Sequence, residues 1–464
     1  MKTLHNTIFI LLAVVISAIL PACIEDGVST SPADQPEFST DTLKFGEQFT
    51  GDVTVTHRLM VYNRHDKIMS ISDISLAEGE RSVFRLNVDG QSGSRFSGIE
   101  IRPNDSIYVL VSARLNLNDS YDPTIIDEDL NFVTNGVKRT VVLSALAMDV
   151  ETLTDPVIDT DTRWDADHPR RIYGTLRVEP GTRLTLGPGV TLYFHDKASM
   201  QIDGTLIAEG TAEAPVTLRG DRLGSVVGDI SFDLMASQWG GVKFSPTSTG
   251  NDLKFAEIRN TSSGVAADST SLTMVNCRLR NSATNALRSN HSDLTAIGCE
   301  FAESARSPLL LHGGKAVIAH CTVSNYYLFS AISGALIAAE HTDPDHDDES
   351  GAPYLSARIE NTILYGSSAD LSPKDLTATD ITLTNCLLRS NGTDDDRFIS
   401  CIWGADPLFY TVRADYIFDY RLHPDSPAIE AAGASSVALP DTDFYGTPHP
   451  SRRSVGAYEA KADS

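Results

Sequence analysis

Three cysteines recur at a fixed interval in the middle of the chain. Cys277, Cys299 and Cys321 each occupy the sixth position of a similar decapeptide, "LTMVNCRLRN", "LTAIGCEFAE" and "AVIAHCTVSN", and neighbours are 22 residues apart. Ala256 occupies the same position one interval earlier, 21 residues before Cys277. A period near 22 residues is typical of a solenoid, in which each repeat forms one coil and stacks on the next.

The residues around this column alternate between apolar and polar, as they would in a strand. Val275, Cys277 and Leu279 are apolar at every second position, which indicates a strand with one buried face. Four residues beyond the column the chain carries turn-forming residues, mostly asparagine, which tolerates the left-handed backbone conformation. These residues are Asn260, Asn281, Glu303 and Asn325. The sequence therefore predicts short strands joined by tight corners and stacked as a β-solenoid.

The column itself is predicted to be a structural ladder inside the solenoid. Ala256, Cys277, Cys299 and Cys321 are small and apolar, so they can stack on one another about 4.8 Å apart. Side chains stacked in register point the same way, which is a poor geometry for a disulfide. The alternative is a metal or redox role, although no cysteine here lies in the C-x-x-C spacing of a zinc site.

Segments on both sides of the column carry the motifs of one architecture. These are "VEPGTRLTLGPGV", "IDGTLIAEGT" and "SQWGGVKF" before it, and "NTILYG", "NCLLRSN", "ADPLF", "DYRLHPDSPAIEAAG" and "GTPHPSRRSVGAYE" after it. Through these motifs residues 155–460 resemble the right-handed parallel β-helix repeat lipoproteins of Bacteroidetes, a pectate-lyase-like family. The resemblance implies an all-β chain, with a right-handed parallel β-helix over residues 151–415 and a C-terminal capping segment over 416–464. It implies no particular activity.

The first third of the chain has a different pattern. Residues 37–150 lack the 22-residue period and alternate apolar and polar residues between turns, as a β-sandwich does. The Asn-Gly pair at 135–136 is a strong hairpin signal. This part resembles the immunoglobulin-like modules that precede such β-helices. Residues 23–36, "CIEDGVSTSPADQP", are expected to form a flexible tether.

The N-terminus predicts export and lipidation. Residues 1–22 have the charge and the short apolar run of a lipoprotein signal peptide, and "LPAC" resembles a lipobox whose Cys23 would be acylated. A plain secretory signal is the alternative. The "IEDG" after this cysteine resembles the surface-export signal of Bacteroidetes lipoproteins. We therefore expect an outer-membrane lipid anchor, with the chain at the cell surface or, alternatively, at the periplasmic face.

The charge balance narrows the choice of partners. Lys and Arg number 37 against 62 Asp and Glu, a formal net charge of -25. Such a surface repels phosphate backbones and anionic lipid, so we expect no nucleic-acid partner and membrane contact only through the N-terminal lipid.

Acidic residues concentrate in two loops. The stretch "EHTDPDHDDES" holds a candidate calcium site made of Asp343, Asp345, Asp347, Asp348 and Glu349. His341 and His346 would suit a transition metal, and a solvated loop is the plain alternative. The run Asp394, Asp395, Asp396 and Arg397 lies in a single loop rather than on successive coils, where catalytic geometry would be fixed. No catalytic residues are predicted, and no cofactor is required beyond optional Ca²⁺.

Aromatic residues cluster in "SNYYLFS", where Tyr326, Tyr327 and Phe329 could stack on sugars or cover one end of a coil. The sequence thus favours a non-catalytic surface protein that binds carbohydrate or another surface polymer, in adhesion or glycan capture. The alternative is a polysaccharide lyase or glycoside hydrolase of the β-helix class, and a purely structural rod is a third reading.

Overall fold

The computed structural model describes residues 27–116, 121–227, 230–340, 354–372, 376 and 379–460, with the side chains of Val227 and Glu340 left aside. The chain divides into two compact units between Met148 and Asp149, two residues before the predicted boundary. Within the described ranges, no helix has the length and hydropathy needed to cross a membrane. Three short 3₁₀ turns have described bounds, at Gly79–Arg81, Phe232–Leu234 and Ala414–Tyr416.

The N-terminal unit consists of two sheets around one apolar core. The first sheet has the order β1 (Glu37–Phe38), β3 (His57–Tyr62), β9 (Ser106–Ala113), β5 (Phe84–Val88) and β6 (Gln91–Gly93). The second has the order β2 (Thr42–Phe49), β11 (Val137–Met148), β10 (Thr124–Thr134), β4 (Met69–Leu76) and β7 (Arg95–Phe96), with β8 (Ile99–Ile101) also on β4. The pairing is antiparallel except between β2 and β11.

The predicted hairpin of this unit is present. Strands β10 and β11 join at Asn135 and Gly136, whose φ angles of 51° and 78° are both left-handed. Such a turn matches the twist of the flanking strands and favours this residue pair. The expectation of a flexible tether does not hold for residues 27–36. Ser29 is buried and its N–H donates to the Ile68 carbonyl at 2.8 Å. The Asn135 amide likewise donates to the Ser31 carbonyl at 2.8 Å.

The C-terminal unit is a parallel β-helix, and its first sheet, sheet A, has eleven parallel strands, one per coil. They are β12 (Glu151–Thr154), β15 (Arg170–Tyr173), β18 (Thr191–Phe194), β21 (Val216–Gly220), β26 (Ala256–Arg259), β29 (Arg278–Arg280), β31 (Glu300–Phe301), β33 (Thr322–Val323), β36 (Ile363–Leu364), β38 (Leu387–Leu388) and β40 (Ile402–Trp403). The β-helix thus ends near residue 403 rather than at the predicted 415.

The remaining strands of the β-helix form one sheet with two faces, which we call face B and face C. Face B comprises β13 (Val157–Ile158), β16 (Thr175–Val178), β19 (Ser199–Ile202), β24 (Val242–Phe244), β27 (Val265–Asp268), the first halves of β30 (Leu287–Ile297) and β32 (Leu309–Ala319), and β34 (Ile337–Glu340). Face C comprises β14 (Thr162–Trp164), β17 (Arg183–Leu186), β20 (Thr205–Glu209), β25 (Asn251–Lys254), β28 (Ser271–Val275), the second halves of β30 and β32, β35 (Leu355–Glu360), β37 (Asp380–Thr384) and β39 (Phe398–Ile399).

Strands β30 and β32 pass from face B to face C without a break. Each turns through a left-handed residue, His291 with φ 47° and Gly313 with φ 69°. Two short hairpins lie outside these sheets, β22 (Ser225–Val227) with β23 (Ile230–Ser231), and β41 (Phe409–Val412) with β42 (Phe418–Leu422). One continuous apolar core runs inside the coils, between sheet A and the two faces.

The cysteine column lies at the corner where face C turns into sheet A. Cys277, Cys299 and Cys321 are fully buried. Their thiols donate to the carbonyls of Leu253, Met274 and Ala296, which form a column of their own on face C, at 3.3–3.5 Å. The residue before each column member is left-handed, as the corner demands. These residues are Phe255, Asn276, Gly298 and His320.

The column is longer than the sequence suggested. Strand register continues it through Thr362, Cys386 and Cys401, each again preceded by a left-handed residue. The Cys386 thiol donates to the Ile359 carbonyl at 3.5 Å, in the same manner as the earlier thiols. All five cysteines beyond the N-terminal segment therefore belong to one ladder, and all five are free thiols.

The C-terminal segment covers the flank of the β-helix and is not a cap at its end. Its backbone follows sheet A: the Asn276 amide donates to the Thr442 carbonyl at 2.8 Å, and the Gly456 N–H donates to the Asn361 carbonyl at 2.8 Å. Between these points Tyr458 and Tyr420 are buried and donate to Glu300 and Glu303 respectively. A buried layer of acids, arginines and tyrosines thus lies between this segment and sheet A.

Candidate functional site

A groove of about 860 Å³ runs along face B. Its walls come from five successive face-B strands, β19, β24, β27, β30 and β32, and from the corners that precede them. Because parallel strands are about 4.8 Å apart, the first and fifth of these strands are separated by roughly 19 Å along the helix. A cleft of this length suits an extended chain better than a compact small molecule.

Small residues make the groove deep. Gly240, Gly241, Gly264 and Ala266 line it on two adjacent coils. The left-handed Gly241, with φ 107°, leaves no room for a Cβ, which would meet the Gly264 carbonyl oxygen at 2.1 Å. A Cβ on Gly264 would meet the Asn285 carbonyl oxygen at 2.0 Å. Glycine is therefore required at these two positions both by conformation and by close packing of successive coils.

The described lining is cationic, although the chain as a whole carries a net charge of -25. Lys243, Arg288 and Arg306 are exposed along it, and none of the described lining residues is an Asp or Glu. Hydroxyl and amide side chains supply most of the remaining polar lining, and His312 adds an imidazole. The hydroxyl and amide residues are Ser199, Gln201, Ser263, Thr284, Asn285 and Asn290.

The strand register fixes the positions of two of these cations. Lys243 in β24 is paired with Ala266 in β27, and Ala266 with Arg288 in β30, so the three form one outward column. Lys243 and Arg288 therefore lie two coils apart, about 9.6 Å along the helix. Asp268, in the neighbouring column, lies 3.8 Å from the Lys243 ammonium and 3.3 Å from the Arg288 guanidinium, so it holds both side chains over the strand between them.

A hydrogen-bonded cluster closes one end of the groove. The His312 Nδ1 is 2.5 Å from the Asn290 Oδ1, and its Nε2 is 3.1 Å from the Tyr354 hydroxyl. The same hydroxyl is 2.9 Å from the His291 Nε2. Since a tyrosine hydroxyl donates only one proton, neutral histidines satisfy this cluster when one ring donates to the hydroxyl and the other accepts from it.

A smaller cavity of about 350 Å³ lies at the corner between sheet A and face B. Its centre is Asp221, which is buried and accepts from Arg171 Nε at 2.7 Å. The His195 Nδ1 lies 2.7 Å from the same carboxylate, and the His195 ring stacks on Tyr173 with centroids 4.3 Å apart. These contacts join three coils and hold the base of the loop that carries β22 and β23.

The three predicted sugar-stacking rings do not form a platform. Tyr327 is buried at 9% exposure, and Tyr326 is half-buried beneath the Arg413 guanidinium, 5.6 Å from its ring centre. Burial raises the pKa of Tyr326 to about 12. Only Phe329 is exposed, and its edge packs against Tyr327. This placement agrees with the alternative interpretation, in which these rings cover part of a coil.

Two carboxylates of the acidic run at 394–396 accept hydrogen bonds from their own loop. Asp394 accepts from the Trp403 indole at 3.0 Å and from the Ser400 N–H at 2.7 Å, and these bonds hold its pKa below the usual range. Asp395 accepts from the Arg397 N–H at 2.8 Å, and its pKa is likewise lowered by backbone hydrogen bonds. Both carboxylates therefore order the last coil.

Two other groups of predicted residues lie outside the described part of the chain. They are the lipidation site Cys23 and the candidate calcium ligands Asp343, Asp345, Asp347, Asp348 and Glu349. Among the residues that the structure does describe, no group of three or more His, Cys, Asp or Glu side chains is placed to hold a metal ion.

Sequence patterns do not predict the groove, because the residues that line it come from five separate coils. One signal was present, since "SQWGGVKF" contains Gly240, Gly241 and Lys243. That stretch is typical of the architecture, but only the strand register places its outward lysine in the same column as Arg288.

No protein-family model matches the chain, and no curated protein matches it. Among solved structures, a protein of unknown function from Porphyromonas gingivalis W83 is similar at 16% identity and a TM-score of 0.19, over 28% of this chain and 57% of that one. A family 123 glycoside hydrolase from Clostridium perfringens is similar at 9% identity and a TM-score of 0.18, over 24% of this chain and 25% of that one. The chain thus matches only part of the length of these two proteins.

A third structure, the catalytic domain of a GH87 alpha-1,3-glucanase in complex with nigerose, is similar at 9% identity and a TM-score of 0.18, over 74% of this chain and 87% of that one. With TM-scores this low, none of the three structures bears on what this chain does.

Proposed function

We propose that this chain is a non-catalytic, lipid-anchored surface protein that binds a carbohydrate or another surface polymer in the groove of face B. The observation that carries the proposal is the groove itself, which follows five successive coils and presents hydroxyl, amide and cationic groups along its length. Such groups hold an extended polar polymer through many weak contacts, and the affinity of the whole comes from their number.

The chemistry of the described lining supports binding more than cleavage. Glycoside hydrolysis uses two carboxyl groups held at a fixed separation across the scissile bond. None of the described lining residues is an Asp or Glu, and the neighbouring Asp268 is paired with Lys243 and Arg288. The acidic residues Asp394 and Asp395 are engaged by their own loop.

The proposed location follows from the sequence of the first 27 residues. We infer that Cys23 carries a lipid in the outer membrane and that the acidic "IEDG" directs the chain to the cell surface. Calcium binding by the acidic residues of 343–349 remains part of the proposal as an optional feature.

The test is retention of polysaccharides by the purified soluble chain, first on a glycan array and then by binding isotherms. Ala266→Trp would fill the groove between the two cations, and Thr295→Trp on face C is the matched control, since it adds the same ring to a different outward column. We expect the first variant to lose binding and the second to keep it. Equal binding by both variants, or turnover of the polymer by the wild-type chain, would contradict the proposal.

A further inference from the structure

The groove contains a spacing that identifies the class of polymer more closely. Lys243 and Arg288 occupy one outward column with Ala266 between them, so their Cα atoms are two coil rises apart, about 9.6 Å. Arg306 lies one coil beyond Arg288, on the corner side of the groove. An extended disaccharide is about as long as two coil rises.

The backbone holds this spacing firmly. Val242 donates to the Gly264 carbonyl at 3.1 Å, and Val265 donates to the Ala286 carbonyl at 2.9 Å, so the three coils are joined directly beside the column. The close backbone contacts at Gly241 and Gly264 leave no free space between the three coils. The backbone positions of the two cations are therefore held at a fixed interval, which a flexible loop would not provide, and Asp268 contacts both charged groups.

The charge of the site is positive even when its nearest carboxylate is included. Asp268 pairs with Lys243 and Arg288, and its side chain is 17% exposed, whereas those of the two cations are 56% and 45% exposed. With Arg306, which has no ion pair among the described residues, the group has three cations and one carboxylate, a net charge of +2. A neutral polymer would leave this net positive charge unbalanced, whereas an anionic polymer would balance it.

We propose that the groove takes an acidic polysaccharide whose negative groups recur once per disaccharide. This inference rests on the proposed function and specifies its ligand. Lys243 and Arg288 then each meet one anionic group of the same face of the polymer, and the sugar between them passes over Ala266. Arg306 adds a third contact at the corner side.

The experiment compares three polymers at several NaCl concentrations. Hyaluronan carries one carboxylate per disaccharide, polygalacturonate carries one per sugar, and dextran is neutral. We expect hyaluronan to bind most tightly to the full soluble chain, with an affinity that falls as salt rises, because exposed charges are screened.

Variants in the groove test the residues. Lys243→Gln, Arg288→Gln and Arg306→Gln should each weaken hyaluronan binding by about tenfold, the loss of one charge-assisted contact. Lys315→Gln and Arg358→Gln are matched controls, because both are exposed cations on face C of the same helix and lose the same charge. We expect these two to bind like the wild type.

The outcomes separate this inference from the proposed function. Tightest binding of polygalacturonate or dextran, or no effect of the three groove variants, would overturn the inference. If Ala266→Trp still abolished binding in that case, the groove would remain a polymer site and only the ligand class would be wrong. If no polymer bound in any arm, both proposals would fall together.

Discussion

Glu303 is predicted to make the β-helix less stable as the pH rises from 4.5 to about 7. Its carboxyl is buried at 2% exposure between sheet A and the C-terminal segment. The Tyr420 hydroxyl and the Tyr326 N–H both donate to Oε1, and Oε2 is buried with no hydrogen-bond partner among the described residues. Burial raises the pKa of Glu303 from 4.5 to about 7, against the opposing effect of the Tyr420 hydrogen bond.

The sign follows from proton linkage. The folded chain binds this proton more tightly than the unfolded chain, so the stabilisation is fully present below pH 4.5 and is lost as the pH rises through about 7. A pKa difference between 4.5 and about 7 corresponds to about 3 kcal/mol of unfolding free energy, spread over that interval. Glu303→Gln keeps a neutral acceptor at Oε1 and an NH₂ donor at Oε2, and it cannot ionise.

Tryptophan fluorescence during urea unfolding reports the stability of the C-terminal unit, which contains Glu303. All three tryptophans, Trp164, Trp239 and Trp403, lie in that unit. Above pH 7 the Gln variant should unfold at a higher urea concentration than the wild type, and near pH 4.5 the two should converge. A Gln variant that is less stable at pH 8 and keeps the wild-type pH slope would refute the reasoning.

A second buried glutamate provides a control of opposite sign. Burial opposes ionisation of Glu257 as well, but the guanidinium groups of Arg278 and Arg259 lower its pKa to about 2. Its charge therefore stabilises the fold above its ordinary pKa of 4.5, and this contribution is lost only as the pH falls through about 2. Glu257→Gln should lower the urea midpoint at pH 7, where Glu303→Gln is expected to raise it.

Three further predictions concern the coils and the proposed lipid anchor. Cys299→Ala should cost about 1 kcal/mol or less, since alanine already occupies the column at 256, whereas Cys299→Asp should cost more than about 3 kcal/mol because it buries an unpaired charge; equally mild effects in urea unfolding would contradict the ladder. Gly241→Ala should lower the thermal midpoint well below that of Gly250→Ala, because both glycines are left-handed but only the first lacks space for a Cβ; equal midpoints would show that the two coils can separate there. Cys23→Ala should abolish membrane partition of the expressed chain in detergent phase separation, and unchanged partition would exclude lipidation at this residue.

The regular part of the fold could be predicted from the sequence because its signal repeats. Ala256, Cys277, Cys299 and Cys321 keep nearly equal intervals, since each coil between them has short corners. Beyond Cys321 the same column continues, but its members stand at intervals of 41, 24 and 15 residues, through Thr362 to Cys386 and Cys401. Loops of unequal length at the coil corners remove the sequence period, although the strands stay in register. A prediction from cysteine intervals therefore stops at the coil where the loops begin to differ in length.

The groove and the C-terminal cover could not be predicted for a different reason. An outward cation such as Lys243 is indistinguishable in sequence from a solvated surface residue until the register places Arg288 two coils away in the same column. The cover depends on contacts between residues far apart in the chain, as between Asn276 and Thr442 or between Glu300 and Tyr458. Neither pattern has a local period, so only the folded chain reveals it.

The cover also explains why the polymer site would lie on face B. The C-terminal segment occupies the outer flank of sheet A from Asn276 to Asn361, and it buries Glu300 and Arg280 as an ion pair there. That flank is therefore closed to a ligand on the coils that also carry the later part of the groove. Charges buried under the cover are held by packing and cannot adapt to a partner, whereas Lys243 and Arg288 are exposed but remain fixed in spacing by the same coils. The β-helix thus uses one side to complete its own core and leaves the other as a rigid array, whose interval is the property that a repeating polymer can match.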